Sequence, residues 1–580
     1  GTNNLPDCSN MCHESSGVGL GEVIGIGKGT VQLEDFYEAD AIFVIGQNPG
    51  TNHPRMLSAL KEAARNGCDI VSVNPQREAG LSKFKDPQEF SGWVGGGTPL
   101  ADLFLQVRIN GDVALLKGIM KEMLEREEAR PGEVLDMAFI EEYTEGFEEF
   151  AADLMATDWA TIVRESGIER DQIAEAADIV VEADAMICCW AMGLTQHKNG
   201  VANIQEVANL LLMDGHFGRP GAGACPVRGH SNVQGDRTVG IWDKPEDDFL
   251  DALDENFGID APRDHGYDTV HALRAMHEGD ASVFVGMGGN FLSATPDTEY
   301  TAEALENCDL TVQISTKLNR AHLVTGDRAL ILPCLSRTEL DMQKEGPQFV
   351  TVENSMGIVH QSVGSLWPAS EHLLSEPAIV AGMAVGTLGE ETAIDWESMI
   401  ADYDRIRDAI KATVDGFDDY NRRVRQENGF ALPNPVRERR FETDTGNAKF
   451  TVHPIPERDL GDDEFLMMTV RSHDQFNTTV YSNDDRYRGI ENSRRVVMVN
   501  EDNMAEQGLE AGQPIDLVSE YGGEERVASE FRVVPYDLPR GCVGTYFPEA
   551  NVLVPVDEFA DRSHTPASKS VVVRLRAREN

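Results

Sequence analysis

The chain has 580 residues, 41% of them apolar and 7% aromatic, which is too much for one hydrophobic core and predicts several domains. Its 99 acidic residues against 50 basic ones give a formal charge of −49. That sign sets aside nucleic acid as a partner, and no apolar run reaches the length of a membrane segment.

The acidic residues are dispersed, and the basic ones are 13 Lys against 37 Arg. Such a surface stays soluble in concentrated salt, where screening suppresses self-repulsion, and predicts a halophilic, cytoplasmic protein. Nine cysteines form no regular framework, against a disulfide scaffold in so large a core. The opening Gly1-Thr2-Asn3-Asn4 has no initiator Met and reads as mid-chain, so an N-terminal region is expected ahead of it.

In chain order, the first segment with chemistry in it is Asp7-Cys8-Ser9-Asn10-Met11-Cys12-His13. Cys8 and Cys12 are spaced like a metal pair, but no second pair follows and the zinc signal is weak. Cys12 beside His13 sets a soft thiolate next to an imidazole that titrates near neutral pH. Gly25-x-Gly27-x-Gly29 follows no convincing strand and is a weak nucleotide fingerprint. An apolar strand at 40–46 runs into Gln47-Asn48-Pro49-Gly50, a helix follows over about 54–66, and a strand at 69–74 runs into Pro75-Gln76-Arg77. Strands that exit into Gly, Asn or Pro loops ahead of a helix mark an open parallel sheet, whose ligands bind at the carboxyl ends of the strands.

A strand at 185–190, with Cys188 and Cys189 as buried residues, leads into Met192 and Gln196, and a helix spans about 203–214. The run Pro226-Val227-Arg228-Gly229-His230-Ser231-Asn232-Val233-Gln234-Gly235 sets a planar cation in a Gly-bounded polar turn. Further strands are predicted at 282–289, 310–315 and 328–333, then a charged helical stretch from 395 to about 440 bounded by Pro433 and Pro435. After Phe450, short strands at 465–471, 494–500, 514–520, 526–534, 541–547 and 569–575 predict a closed β-barrel.

Cys12, His13 and Arg228 could supply a metal ligand, an acid or base, and an anion clamp. Each has an ordinary alternative: a buried Cys near a turn, a satisfied polar His, an Arg in a domain ion pair.

The linked set is more specific than its parts. The loop from Gly1 through Cys12-His13 to Gly19-Leu20 is followed by Asn48-Pro49, Asn74-Pro75, Met192-Gly-Leu-Thr-Gln196, Gly218-Arg-Pro220 and the 226–235 run. Ile331-Leu-Pro333, Thr469-Val-Arg471, Gln475-Phe-Asn477 and Lys569 complete the order. This series resembles the molybdopterin oxidoreductases that carry a bis-molybdopterin guanine dinucleotide, in the formate dehydrogenase alpha-subunit branch. The runs 6–14 and 471–480 are most similar to a formate-dehydrogenase-related subfamily implicated in acid resistance. Departures are Cys12 where selenocysteine often stands, Glu14-Ser15-Ser16 for Gly-Pro-Ser, Asn74 for Asp and His230 for Gln.

The resemblance implies Mo or W ligated by Cys12, with His13 handling a proton and Arg228 holding a carboxylate. It implies cofactor contacts from Asn48, Asn74, Pro75, Gln76, Arg77, Met192, Gln196, Gln234, Thr316, Arg471, Gln475, Asn477, Asn551 and Lys569. It also implies a [4Fe-4S] cluster in the preceding N-terminal region and electron transfer to a partner subunit or ferredoxin. The reaction would be oxidation of formate to CO2. A reductase acting on an oxyanion or an S- or N-oxide, and a non-catalytic structural relative, are the alternatives.

The fold class expected is α/β: two doubly wound sheet domains around a dinucleotide cofactor plus a C-terminal β-barrel. The boundaries expected are a metal-ligand loop over 1–13, a first α/β domain over 14–230 and a second over 231–345. An irregular, partly helical connector over 346–460 and the barrel over 461–580 complete the chain.

Overall fold

In the computed structural model, residues 1–89, 96–389, 391–457 and 460–578 are described. The chain divides into two compact units, 11–229 with 434–580 and 1–10 with 230–433.

The first unit contains a five-stranded parallel sheet of β1 (Ala41–Ile45), β2 (Asp69–Val73), β3 (Leu103–Leu105), β4 (Met186–Trp190) and β5 (Gly223–Pro226). The order is β3-β2-β1-β4-β5. Every residue of β1 and β4 is buried, Cys188 and Cys189 included. A strand covered on both faces has no polar side, which is why these two read as unbroken apolar runs. The helices α1 (Glu14–Ile24), α2 (Met56–Arg65), α3 (Asp112–Ala129) and α4 (Gly200–Met213) accompany the sheet. Leu20, Val23 and Ile24 of α1 share one core with Ile204, Val207 and Leu211 of α4. Gly19 permits that approach, since a Cβ there would lie 3.0 Å from the Ile204 Cβ.

The strand order reverses at β1. The chain moves outward from β1 to β2 and β3, then returns to lay β4 on the other side of β1 and β5 beyond it. Loops leaving the carboxyl ends of β1 and β4 therefore diverge and open a crevice between them.

The second unit contains a parallel sheet of β6 (Val283–Met287), β7 (Leu310–Ser315) and β8 (Arg328–Pro333), with β7 central. It also holds an antiparallel sheet of β9 (Val350–Glu353), β10 (Ile358–Ser362) and β11 (Phe430–Ala431), and the apolar helix α5 (Glu376–Leu388). The helical stretch expected from 395 to 440 is not continuous. It breaks into Trp396–Ala401, Asp404–Thr413, Tyr420–Arg423 and a 3-10 turn at Pro435–Glu438, the first two ending where Asp402 and Val414 turn extended.

In the first unit, the segment after 460 closes into a six-stranded barrel. Its strands are β12 (Glu464–Val470), β13 (Val496–Val499), β14 (Pro514–Tyr521), β15 (Glu524–Pro535), β16 (Cys542–Tyr546) and β17 (Val571–Ala577). They follow the order β12-β16-β13-β15-β14-β17 and close by pairing β17 with β12. Closure leaves no open sheet edge. No helix among the described residues is long and apolar enough to cross a membrane.

Candidate active site

The crevice between β1 and β4 is built on two glycines. Gly193 N–H donates to the Gly46 carbonyl at 3.1 Å, and a Cβ on Gly193 would lie 2.4 Å from the Gly46 Cα. Gly46 adopts φ +58°, a backbone that favours glycine. Asn48 then caps a helical turn, its Oδ1 accepting from Thr51 N–H at 3.2 Å.

A narrow cavity opens above this floor, entirely within the first unit. Gln47, Asn48, Asn74, Pro75, Asn110, Asp112, Met192 and His197 line one side, and Met468, Arg471, Arg488 and Lys569 of the barrel segment line the other. Burial lowers the Arg471 pKa to about 10, partly offset by the nearby Cys12 thiol. Burial, with repulsion from Arg471 and Arg488, pushes Lys569 well below the usual lysine range. Arg471 lies over the Phe547 ring at 3.6 Å, and Lys569 Nζ donates to the Thr469 carbonyl. Neither contact supplies a negative charge. The side-chain oxygens of Gln47 and Asn110 are buried without a hydrogen-bond partner among the described residues.

Cys12 is 6% exposed, its Sγ 3.7 Å from Met192 Sδ. Thr195 Oγ1 donates to the Cys12 carbonyl at 2.6 Å, and Gln196 Nε2 donates to the Met11 carbonyl at 2.6 Å. Gln196 Oε1 accepts from Ser568 Oγ at 3.0 Å, so one amide ties the Cys12 loop to the segment carrying Lys569.

His13 is fully buried at the start of α1. Its Nε2 lies 3.1 Å from the Val227 carbonyl and its Nδ1 2.9 Å from Ser16 Oγ, which also accepts from Trp190 Nε1 at 2.9 Å. These partners assign the proton to Nε2 and make Nδ1 the acceptor. Burial first, then the Arg228 charge, lowers the His13 pKa to about 3, against the opposing Val227 carbonyl. The imidazole is thus neutral here, where the sequence reading expects titration near neutral pH, because desolvation penalises the cation.

Arg228 is 8% exposed, and its Nη2 donates to the Gly27 carbonyl at 2.9 Å. Its own carbonyl accepts from His53 Nε2 at 3.0 Å.

The structure therefore gathers Cys12, Asn48, Asn74, Pro75, Met192, Gln196, Arg471 and Lys569 about one region of the first unit. Gln76 is buried beside it, and Arg77 instead lies over the Phe104 ring at 4.3 Å, lining a separate cavity of about 730 Å³. Gln475 is spent on backbone carbonyls, donating to Asn477 of its own hairpin at 2.6 Å and to Phe547 at 2.7 Å. Asn551 begins a short turn, buried. Gln234 and Thr316 belong to the second unit, where Gln234 Nε2 donates to Glu353 Oε1 at 2.6 Å and Thr316 is exposed. His53, Glu78, Asn110, Asp112 and Arg488 are missing from the sequence reading. Only His53 had a signal, its place in the loop that leaves β1.

Residues 3–369 match the family model described as molybdopterin oxidoreductase. The chain belongs to the molybdopterin oxidoreductase family. Residues 465–572, which cover most of the barrel, match the molydopterin dinucleotide binding domain. Among relatives, an uncharacterized oxidoreductase of Mycobacterium tuberculosis is 52% identical over 99% of this chain and 75% of its own length. The protein YdeP of Escherichia coli is 45% identical over 99% and 77%. The alpha subunit of a formate dehydrogenase from Methanococcus maripaludis is 27% identical over 59% and 47%. The acetylene hydratase structure from Pelobacter acetylenicus superposes with a TM-score of 0.68 at 14% identity, covering 98% of this chain and 82% of that one, a likeness of fold.

The cavity suits the family's cofactor chemically. A pyranopterin dinucleotide presents amide-like edges and a pyrophosphate. The cavity offers Asn48, Asn74, Gln47 and Asn110 for the first, and for the second the Arg471 guanidinium and the Lys569 amine, which a bound anion would hold protonated. Two backbones in contact at Gly46 and Gly193 leave room that side chains would fill.

Proposed function

We propose that this chain is the catalytic part of a formate-dehydrogenase-like enzyme that carries Mo or W on a bis-molybdopterin guanine dinucleotide and oxidises formate to CO2. The observation that carries the reading is the Cys12 thiol set against Met192, which lines one cavity with Arg471 and Lys569 above the β1/β4 crevice.

When bound, the metal centre would supply an acceptor for the two electrons that leave formate with its C–H bond, and one proton is released. Cys12 would hold the metal through its thiolate, a soft ligand kept deprotonated by the metal's charge. Arg228 would bind the formate carboxylate through its planar fork, exchanging the Gly27 carbonyl for the stronger anionic acceptor. The proton would reach His13 Nδ1 from Ser16 Oγ, the hydroxyl that faces it, and rest there only transiently, since burial holds the imidazole neutral. Electrons would leave through a [4Fe-4S] cluster outside the described residues, to a partner subunit or ferredoxin. The charge pattern supports a halophilic, cytoplasmic setting.

The test is formate-dependent dye reduction by the purified, metal-loaded protein, set against dye oxidation driven by nitrate or by S- and N-oxides. Protein that holds metal and pterin and turns over only the oxyanions refutes formate as the substrate and leaves a reductase. Protein with neither metal nor pterin refutes the enzyme.

A further inference from the structure

Two residues outside every motif, Glu78 and Arg488, join the walls of the cavity. The Arg488 side chain is 4% exposed and spends its guanidinium on four acceptors. These are Glu78 Oε1 and Asp485 Oδ2 at 2.8 Å each, the Arg471 carbonyl at 2.9 Å and Gln76 Oε1 at 3.2 Å. The second Glu78 oxygen accepts from Asn48 Nδ2 at 2.6 Å. One guanidinium thereby fixes the main chain that carries the Arg471 cation and, through Glu78, the Asn48 amide at the mouth of β1.

We infer that Arg488 and Glu78 are positioning residues for the cofactor, setting Asn48 on one wall and Arg471 on the other so that both face a bound dinucleotide together. The inference rests on the cofactor reading above. The residue types follow from the geometry. Only arginine's planar fork of five donors reaches Glu78, Asp485 and the Arg471 carbonyl at once, while lysine offers a single point charge. Glu78 must accept on both oxygens. A glutamine would turn its amide hydrogens on either Arg488 or Asn48 and break one link.

The test compares wild type, Arg488→Lys, Glu78→Gln and the double variant, all purified with cofactor. Molybdenum or tungsten per chain and pterin fluorescence report loading, fluorescence in the filtrate after dilution gives the rate of cofactor loss, and melting of the cofactor-free proteins reports the fold. Each single variant is expected to lose cofactor about tenfold faster than wild type, the lower end for outer-shell partners of metal sites. Cofactor-free melting should match wild type, and the double variant should be no worse than the worse single, since both substitutions cut one chain of hydrogen bonds. Glu78→Gln is isosteric and leaves the Arg488–Asp485 pair intact, so it keeps the test open should Arg488→Lys fail to fold. Loss at the wild-type rate overturns the inference, as does a multiplicative double variant. A fall in cofactor-free melting that parallels the loss also overturns it, making the pair a brace of the fold. Wild type that holds neither metal nor pterin overturns the cofactor reading and this inference with it, whereas loaded wild type with equally loaded variants overturns this inference alone.

Discussion

Glu206 sits fully buried on α4, with Asn209 Nδ2 donating to its Oε2 at 3.0 Å and its Oε1 lacking any hydrogen-bond partner among the described residues. Burial raises its pKa from 4.5 to about 8, against the opposing Lys117 charge and the Asn209 hydrogen bond. The folded pKa lies above the unfolded one. The stability linked to this group is therefore fully present below about pH 4.5, drains away as pH rises, and is gone above about pH 8. At about 1.4 kcal/mol per unit, the full loss is roughly 4–5 kcal/mol. Glu206→Gln has the shape of the protonated acid and cannot ionise. Thermal melting of both proteins, at fixed ionic strength and at about pH 5 and about pH 8.5, should show near coincidence at the lower pH and a higher midpoint for the variant at the upper. Melting curves separated equally at both pH values would refute the reasoning, because they would show that Glu206 does not change protonation on folding.

Cys12→Ser removes the soft ligand and offers a hydroxyl that does not ionise in its place. It is expected to abolish formate-dependent dye reduction while the metal stays on the pterin, and turnover at the wild-type rate would remove Cys12 as the ligand. Gly193→Ala puts a Cβ 2.4 Å from the Gly46 Cα, and Gly46→Ala puts one 2.7 Å from the Gly193 Cα. Each should cost about 1–3 kcal/mol in a melt and lower pterin content, and full loading with wild-type melting would count against a tight crevice floor. With a charge of −49, the melting midpoint should climb as KCl rises from about 0.1 M to about 1 M, where the Debye length falls from about 10 Å to about 3 Å. A midpoint that stays level or falls would show that surface repulsion does not limit stability.

The strands were legible where burial is two-sided and the run is long enough. The expected strands at 40–46, 69–74 and 185–190 appear as β1, β2 and β4 within a residue at each end, and those after 460 appear as the barrel. β3 and β5 have three and four residues, too few to show a pattern, and α3 is buried from Asp112 to Lys121, where no exposed face marks its period. Positions that belong to an ordered series, such as Cys12, Asn48, Met192, Gln196, Arg471 and Lys569, could be named from the sequence, and the structure brings them about one region. Gln475 looked the same in sequence, yet its amide is consumed by the carbonyls of Asn477 and of Phe547, 72 residues away, which only the folded chain brings together.

By itself the sequence determined the family and the parallel-sheet and barrel architecture, because local apolar runs, turn residues and an ordered set of short motifs carry that information along the chain. Only the tertiary structure decided which side chains share a cavity, that His13 is held neutral, and that Arg488 reaches Glu78. Residues 410 positions apart meet by packing alone, and a hydrogen bond between them leaves no periodicity on either side for a sequence to show.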